Sequence, residues 1–116
     1  MTSIFTRIIA RELPADVVYE DELVIAFRDI APRAPVHLLV VPKTEAYRNV
    51  VELAAGDPGL LAHVVATANA LAAEHTGGDF RLVFNTGEGA GQTVFHVHAH
   101  VMGDRRGLTE GSLGDV

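Results

Sequence analysis

The longest stretch of helical hydrophobic spacing follows an Asp57–Pro58 pair. Aspartate is a preferred N-cap residue, and proline is favoured at the first helical position. Gly77 is expected to end this helix in the left-handed conformation. The apolar stripe between these ends recurs every three or four residues. It consists of Leu60, Leu61, Val64, Val65, Ala68, Leu71 and Ala72.

Shorter hydrophobic segments predict one further helix and a set of strands. A short amphipathic helix is expected over 4–9, with Ser3 or Thr2 as its cap, and Pro14 ends the segment. Alternating or continuous apolar runs bounded by turn residues predict the strands. The predicted strands are 17–20, 23–28, 36–41, 80–85 and 94–102. One long helix between the third and fourth strands predicts an α+β meander rather than repeated βαβ units.

Composition restricts the classes of protein and of chemistry. The 116 residues fit a single domain spanning 1–116, of which 103–116 is expected to be a tail with little pattern. There is no cysteine, which excludes disulfides, thiolate zinc sites and a cysteine nucleophile. The net charge of −6 argues against nucleic-acid or membrane partners. Without a signal peptide or a membrane-length apolar run, a cytoplasmic protein is expected.

Three histidines stand at alternate positions of the last predicted strand. His96, His98 and His100 would share one strand face, since side chains alternate between faces. They are compatible with a surface or hydrogen-bonded row, a metal site, or nucleophilic catalysis on a phosphate. In a straight strand the outer two Cα atoms are about 13 Å apart, which disfavours three rings on one ion. We therefore predict no metal and no other cofactor.

A glycine-rich loop precedes these histidines. Glycines at 87, 89 and 91 permit positive φ and close backbone approach, so successive amides can face an anion. The spacing matches neither a dinucleotide fingerprint nor a P-loop. Alone, such a loop is as compatible with an ordinary hairpin connection. Beside three aligned histidines, it favours phosphate chemistry.

The sequence His96-Val97-His98-Ala99-His100-Val101-Met102 resembles the signature of histidine-triad (HIT) proteins, in which histidines alternate with apolar residues. Other segments resemble the Hint branch of that family. These segments are 4–9 with 12–15, 29–37 running on to 41–43, and 85–93. The similarity extends over about residues 4 to 103.

This resemblance implies a HIT fold, with a five-stranded antiparallel sheet, one long helix and a short N-terminal helix in each protomer. It implies a homodimer in which the two sheets join into ten strands. The implied activity is hydrolysis of the P–N bond of purine nucleoside phosphoramidates, or of aminoacyl-adenylates, through a nucleotidyl-histidine. The implied partner is therefore a purine nucleotide, as an AMP or GMP conjugate.

The resemblance also implies roles for individual residues. His98 would be the nucleophile, His100 would contact the phosphate and leaving group with Thr93, and His96 and His37 would form a hydrogen-bond network behind it. The implied phosphate-binding residues are Asn85, Gly91, Gln92 and Thr93. The implied nucleoside-binding residues are Asp29, which would hold the ribose, and Ile4, Phe5, Ile8, Phe27, Ile30 and Leu39.

Simpler interpretations exist for several of these residues. His37 is flanked by aliphatic residues and is equally compatible with a hydrogen-bonded core histidine. Asp29 is compatible with a cap of its own loop, and Ile8 with plain core. His63 and His75 are expected to be structural or solvated, the latter near the negative end of the long helix.

Differences from known family members further restrict the expected metal content and chemistry of this chain. Some bacterial members carry a zinc site on two cysteines and a histidine at positions where this chain has Ser3, Thr6 and Glu45, so that zinc is not expected. His100 stands where the nucleotidyl-transferase branch has glutamine, which favours water as the final acceptor. The tail 104–116 lacks the Trp-Pro ending of animal Hint proteins.

Two other functions remain compatible with the sequence. One is dinucleoside polyphosphate hydrolysis, as in the Fhit branch, against which the Hint-like segments speak. The other is a nucleotide-binding or scaffold protein with incidental catalysis. The sequence does not identify the physiological substrate or the leaving amine.

Overall fold

The structure, a computed structural model, describes residues 2–107. Most of the predicted tail, 103–116, therefore lies outside the described residues. Three helices are present: α1 (Ile4–Ile9), α2 (Val50–Gly56) and α3 (Pro58–His75). The strands are β1 (Val17–Glu20), β2 (Val24–Arg28), β3 (Val36–Pro42), β4 (Arg81–Val83) and β5 (Ala99–Gly103). A short 3₁₀ turn covers Glu88–Ala90.

The five strands form one antiparallel sheet in the order β1-β2-β3-β5-β4. The central strand β3 pairs with β2 on one side and β5 on the other. Leu39 is thereby opposite both Phe27 of β2 and His100 of β5. The predicted α+β class with a five-stranded antiparallel sheet is confirmed.

Strand alternation divides the core between the two sheet faces. One face packs on α3 through Leu38, Val40 and Val101, all fully buried. The other face carries Ile25 and Val41 and is covered by α1. The second buried cluster comprises Phe5, Ile8, Ile25, Phe27, Leu39 and Val41. His100 is directly opposite Leu39, so strand pairing brings this histidine to the edge of that second cluster.

Side-chain caps begin all three helices. The Asp57 carboxylate accepts a hydrogen bond from the Leu60 amide at 3.0 Å, and Gly77 has a φ of +80° after α3. Both features were predicted. Ser3 caps α1 by accepting from the Thr6 amide, and Asn49 caps α2 in the same way. Each cap satisfies an amide that has no partner within the helix.

The last strand is shorter than predicted. β5 begins at Ala99 rather than at residue 94, so His96 and His98 precede it. Its pairing with β3 ends at Val40 opposite Ala99. The amide of Val97 donates instead to the Tyr47 carbonyl at 3.0 Å, in the segment after β3. The prediction failed because this segment exchanges its strand partner for a loop.

Two smaller differences concern other elements. β4 covers only Arg81–Val83 of the predicted 80–85, and α2 was not predicted from the sequence. No helix within residues 2–107 combines the length and the hydrophobicity that a membrane span requires.

Candidate active site

A cavity of about 430 Å³ opens between α1, β2 and the segment leading into β5. Its polar lining residues are His98, His100, Thr93, Asp29 and Arg28. All the residues expected around a nucleoside also line it: Ile4, Phe5, Ile8, Phe27, Asp29, Ile30 and Leu39. Residues with apolar side chains at 13–15 and Val94 complete the wall and were not predicted.

Aromatic contacts join the apolar wall to the histidines. The Phe5 ring meets the Phe27 ring edge to face, with centroids 5.6 Å apart. It meets the His98 ring at 4.9 Å and an interplanar angle of 76°. Such contacts fix ring orientation as well as position. Ile30 is 97% exposed and forms a free rim of the cavity.

Hydrogen bonding fixes the tautomer of His98. Its Nδ1–H donates to the backbone carbonyl of His96 at 2.8 Å. A neutral imidazole with its proton on Nδ1 keeps a lone pair on Nε2. Burial lowers the pKa of His98, which favours this neutral form. His98 therefore brings a ring nitrogen with a free electron pair to the cavity that it lines.

A chain of hydrogen bonds orients His100. The Arg33 amide donates to His37 Nδ1 at 3.0 Å, so the His37 proton must be on Nε2. That Nε2–H donates to His100 Nδ1 at 2.9 Å, which leaves the His100 proton on Nε2. Burial, followed by the neighbouring rings of His98 and His37, lowers the pKa of His100 to about 4. His100 thus lines the cavity as a neutral ring whose remaining nitrogen is a donor.

Asp29 has two roles in the structure. One carboxylate oxygen accepts from the Ala31 amide at 2.9 Å and so caps the loop, as the simpler interpretation expected. The other oxygen lies 3.4 Å from His37 Nε2. The residue also lines the cavity.

His96 lies behind the cavity rather than in it. Its ring is 1% exposed, and Nε2–H donates to the Pro42 carbonyl at 2.6 Å. Its Nδ1 accepts from the Ser3 hydroxyl at 2.6 Å. Ser3 also donates its amide hydrogen to the Glu45 carboxylate at 2.7 Å, and the Thr6 hydroxyl bonds the same carboxylate. The three positions where some relatives carry zinc ligands are therefore joined here by hydrogen bonds beside His96.

Only part of the predicted phosphate loop lines the cavity, namely Thr93. Gly91 adopts a φ of +90°, as glycine allows, but Gly91 and the partly buried Asn85 are not among the lining residues. The Gln92 side chain is buried, where its oxygen accepts from the Gly87 amide and its nitrogen donates to the carbonyls of Arg48 and Val94. The role of Gln92 at the phosphate stays a prediction, and its side chain is occupied by these three hydrogen bonds. It supports the loop from within.

Replacing Gln92 with alanine is expected to destabilise the fold by about 1–3 kcal/mol, because the buried side chain and its three hydrogen bonds to the backbone are lost. Affinity for AMP should fall with it, since the loop that carries Thr93 loses its internal support. Thermal unfolding and calorimetric AMP titration measure the two effects. Asn69→Ala, at an exposed amide on α3, is the matched control and should stay within about 0.5 kcal/mol of the parent. Equal stability of the two variants would contradict this role.

One group of side chains has the spacing of metal ligands. Single ligand atoms of Asp29, His37 and His100 lie within 4.8 Å of one another. An ion would need the electron pair of His37 Nε2, which carries the proton while Nδ1 accepts from Arg33. The hydrogen bonds in the structure therefore suit a metal-free network, and the absence of a metal stays a prediction.

The sequence analysis missed the partners that hold the histidines. These are the Ser3 hydroxyl and the Pro42 carbonyl for His96, and the Arg33 amide for His37. Two of these partners are backbone groups, which the residue type does not indicate. The available signal was Ser3, a polar residue before an apolar helix, which was interpreted as a cap and as a position without a zinc ligand.

A family model described as the HIT domain matches residues 10–107, which contain the cavity's histidines and Asp29. The chain belongs to the HIT family. A HIT-like protein of Synechococcus elongatus is 51% identical over 105 residues, which are 89% of this chain and 90% of that protein. The purine nucleoside phosphoramidase of Escherichia coli K12 is 39% identical over 105 residues, 89% of this chain and 87% of the enzyme.

Solved structures agree with this membership of the HIT family. A HIT family hydrolase from Clostridium thermocellum superposes with a TM-score of 0.84 at 42% identity. The alignment covers 95% of this HIT chain and 94% of that one. A HIT family hydrolase from Legionella pneumophila gives a TM-score of 0.82 at 40% identity, covering 88% and 92%.

Proposed function

We propose that this HIT protein hydrolyses purine nucleoside phosphoramidates, or aminoacyl-adenylates, through a covalent nucleotide on His98. The observation that carries the proposal is the tautomer of His98. Its Nδ1–H is held by the His96 carbonyl, so the electron pair of Nε2 is available at the cavity. A neutral, oriented imidazole is the form in which histidine acts as a nucleophile.

The proposed reaction has two displacements at phosphorus. The electron pair of His98 Nε2 forms a bond to the α-phosphorus. In a phosphoramidate the bond from phosphorus to the amine breaks, and its electron pair stays on nitrogen, which enters protonated and leaves as neutral amine. In an aminoacyl-adenylate the bond from phosphorus to the carboxyl oxygen breaks, and the amino acid leaves as its carboxylate. Water then attacks phosphorus, the P–Nε2 electron pair returns to His98, and the proton of water passes to solvent. Two displacements at one histidine replace one difficult step by two easier ones.

The other cavity residues would bind the nucleotide around this reaction. The remaining N–H of His100 and the Thr93 hydroxyl would donate to phosphate oxygens, on which negative charge increases in the transition state. The Asp29 carboxylate would accept from the ribose hydroxyls. The rings of Phe5 and Phe27 would form an apolar slot suited to a planar base.

The relatives support this substrate class. A protein 39% identical over most of both chains bears the name purine nucleoside phosphoramidase. Both named structural neighbours are described as hydrolases.

We also propose a homodimer formed through β4. Within residues 2–107, β4 is an end strand of the sheet and lies next to β5. A second copy can extend the sheet there, which would cover an edge that proteins otherwise protect. Light scattering coupled to gel filtration should give the mass of two chains. A single-chain mass at micromolar concentration would contradict the dimer.

The pH dependence follows from the buried histidines. Burial lowers the pKa of His98, so the neutral nucleophile persists below the usual histidine value of about 6.5. Acidification protonates Nε2 only below that value, and kcat/KM is expected to stay constant from pH 7 to about 6.5 and to fall at lower pH. A pH–rate profile measures this. An acid limb with a midpoint above 6.5 would contradict a buried, neutral nucleophile.

A comparison of two substrates and one product tests the function. Adenosine 5′-phosphoramidate should be hydrolysed much faster than diadenosine triphosphate, while AMP binds as product. Faster hydrolysis of diadenosine triphosphate would favour the dinucleoside polyphosphate rival. AMP binding without turnover of either substrate would favour a binding or scaffold protein. Acid-free mass spectrometry of the quenched enzyme should detect a nucleotide on the peptide that contains His98.

A further inference from the structure

The backbone around His98 is held without strand pairing. β5 begins one residue after His98, and the ladder to β3 begins with it. Hydrogen bonds to other parts of the chain hold the segment instead. The Val97 amide donates to the Tyr47 carbonyl, and the His96 ring bonds to Ser3 and to the Pro42 carbonyl. Since the His96 carbonyl accepts from His98 Nδ1, the position of His96 determines the orientation of the nucleophile.

The His96 ring is bound at both nitrogens by different parts of the chain. Nε2–H donates to the Pro42 carbonyl at the end of β3, which the sheet itself fixes. Nδ1 accepts from Ser3, which precedes α1 and is 93 residues away in sequence. Because His96 Nε2 carries the proton that bonds the Pro42 carbonyl, Nδ1 must accept, and the Ser3 hydroxyl donates to it at 2.6 Å rather than to the Thr6 hydroxyl at 3.4 Å.

We propose that Ser3 is a positioning residue that aligns His98 through His96 and couples this alignment to the nucleoside slot. The proposal rests on the proposed function, because it assigns a role within the same site. Ser3 donates to His96 and, with the same oxygen, caps α1. α1 carries Phe5, whose ring contacts the rings of both His96 and His98. The Ser3 side chain thus connects α1, which forms part of the nucleoside slot, to His96, which orients His98.

Two substitutions separate the cap from the donated bond. Ser3→Asp keeps an oxygen that caps α1 but brings an ionised acceptor to His96 Nδ1, beside the Glu45 carboxylate already on the Ser3 amide. Ser3→Thr keeps both the cap and the hydroxyl donor. Ser3→Ala removes both.

The expected kinetic pattern follows from this separation. Ser3→Asp should lower kcat on adenosine 5′-phosphoramidate about tenfold, the effect of one net hydrogen bond, with KM within about threefold of the parent. Ser3→Ala should lower kcat similarly and also raise KM, because α1 loses its cap. Ser3→Thr should keep both kcat and KM at the values of the parent.

The control is Asp57→Ala, which removes the corresponding cap of α3 at a residue that does not line the cavity. It should lower the melting temperature as Ser3→Ala does while leaving kcat unchanged. Parent values of kcat in Ser3→Asp, or failure of Ser3→Thr to restore activity, would overturn the proposal.

Nitrogen-15 NMR of the histidine rings provides a readout that does not require turnover. In the parent, His96 should give the Nε2–H tautomer and His98 the Nδ1–H tautomer, as their hydrogen bonds dictate. Ser3→Asp should change the Nδ1 signal of His96 and broaden or shift that of His98. If the parent does not hydrolyse phosphoramidates, the proposed function fails, and these spectra still decide the role of Ser3. Unchanged signals of both rings in Ser3→Asp would overturn it.

Discussion

His98→Ala is expected to lower kcat on adenosine 5′-phosphoramidate by about 10⁴-fold or more, because it removes the attacking atom itself. Losses of this size are typical when the nucleophile of a covalent mechanism is deleted. The fold and the affinity for AMP should change little, since the ring donates one hydrogen bond and lies partly open to the cavity. Steady-state kinetics and calorimetric AMP titration measure the two quantities.

His75→Ala is the matched control, because this histidine lies at the end of α3 and does not line the cavity. Its kcat should equal that of the parent. His98→Gly with added imidazole provides a further check, since free imidazole can occupy the vacated space and attack phosphorus. A residual rate within tenfold of the parent in His98→Ala would exclude a nucleotidyl-His98 intermediate.

His100→Ala should lower kcat by about 10²–10³-fold, the effect of losing one oriented donor to a reacting oxyanion. It also removes the acceptor of the His37 proton, which would then face only Asp29. His100→Gln restores an N–H donor of similar reach and should recover part of the loss. The kcat values of the parent, His100→Ala and His100→Gln on adenosine 5′-phosphoramidate measure how much the hydrogen bond donated by His100 contributes to catalysis.

Melting temperatures show whether a loss of activity in the His100 variants results from unfolding. Both His100 variants should unfold within a few degrees of the parent, because the ring is only partly buried. If His100→Ala and His100→Gln lost equal activity, a donated hydrogen bond would not be what the ring contributes. If neither lost activity, the Arg33–His37–His100 chain would have no catalytic role.

Regular elements were predicted well because their determinants are local. The long helix was bounded correctly by Asp57, Pro58 and Gly77, which act on their own neighbours. The central strand followed from an almost wholly apolar run over 36–41, which predicted burial on both faces. The residues of the apolar cavity wall were named from the family resemblance, and their binding of a nucleoside stays a prediction.

The remaining features depend on contacts between distant segments. β5 begins only at Ala99 because the Val97 amide donates to the Tyr47 carbonyl instead of to a neighbouring strand. Every residue has a backbone carbonyl, so the sequence does not indicate which one is the partner. The family resemblance implied that Gln92 lines the phosphate. Whether it turns inward depends on the Arg48 carbonyl, 44 residues earlier. Strict alternation from His96 to His100 would have placed all three rings together, whereas His96 is buried behind the cavity.

The six-residue length of α1 has a consequence for how the nucleoside slot opens. Isolated helices shorter than about 12 residues are marginal in water, so α1 persists only while Phe5 and Ile8 stay docked on the sheet. Local unfolding of this helix would remove one wall of the slot and release the Ser3 hydroxyl from His96. A bound base that stacks against Phe5 would oppose that opening, so amide hydrogens of α1 should exchange more slowly with solvent deuterium when AMP is present.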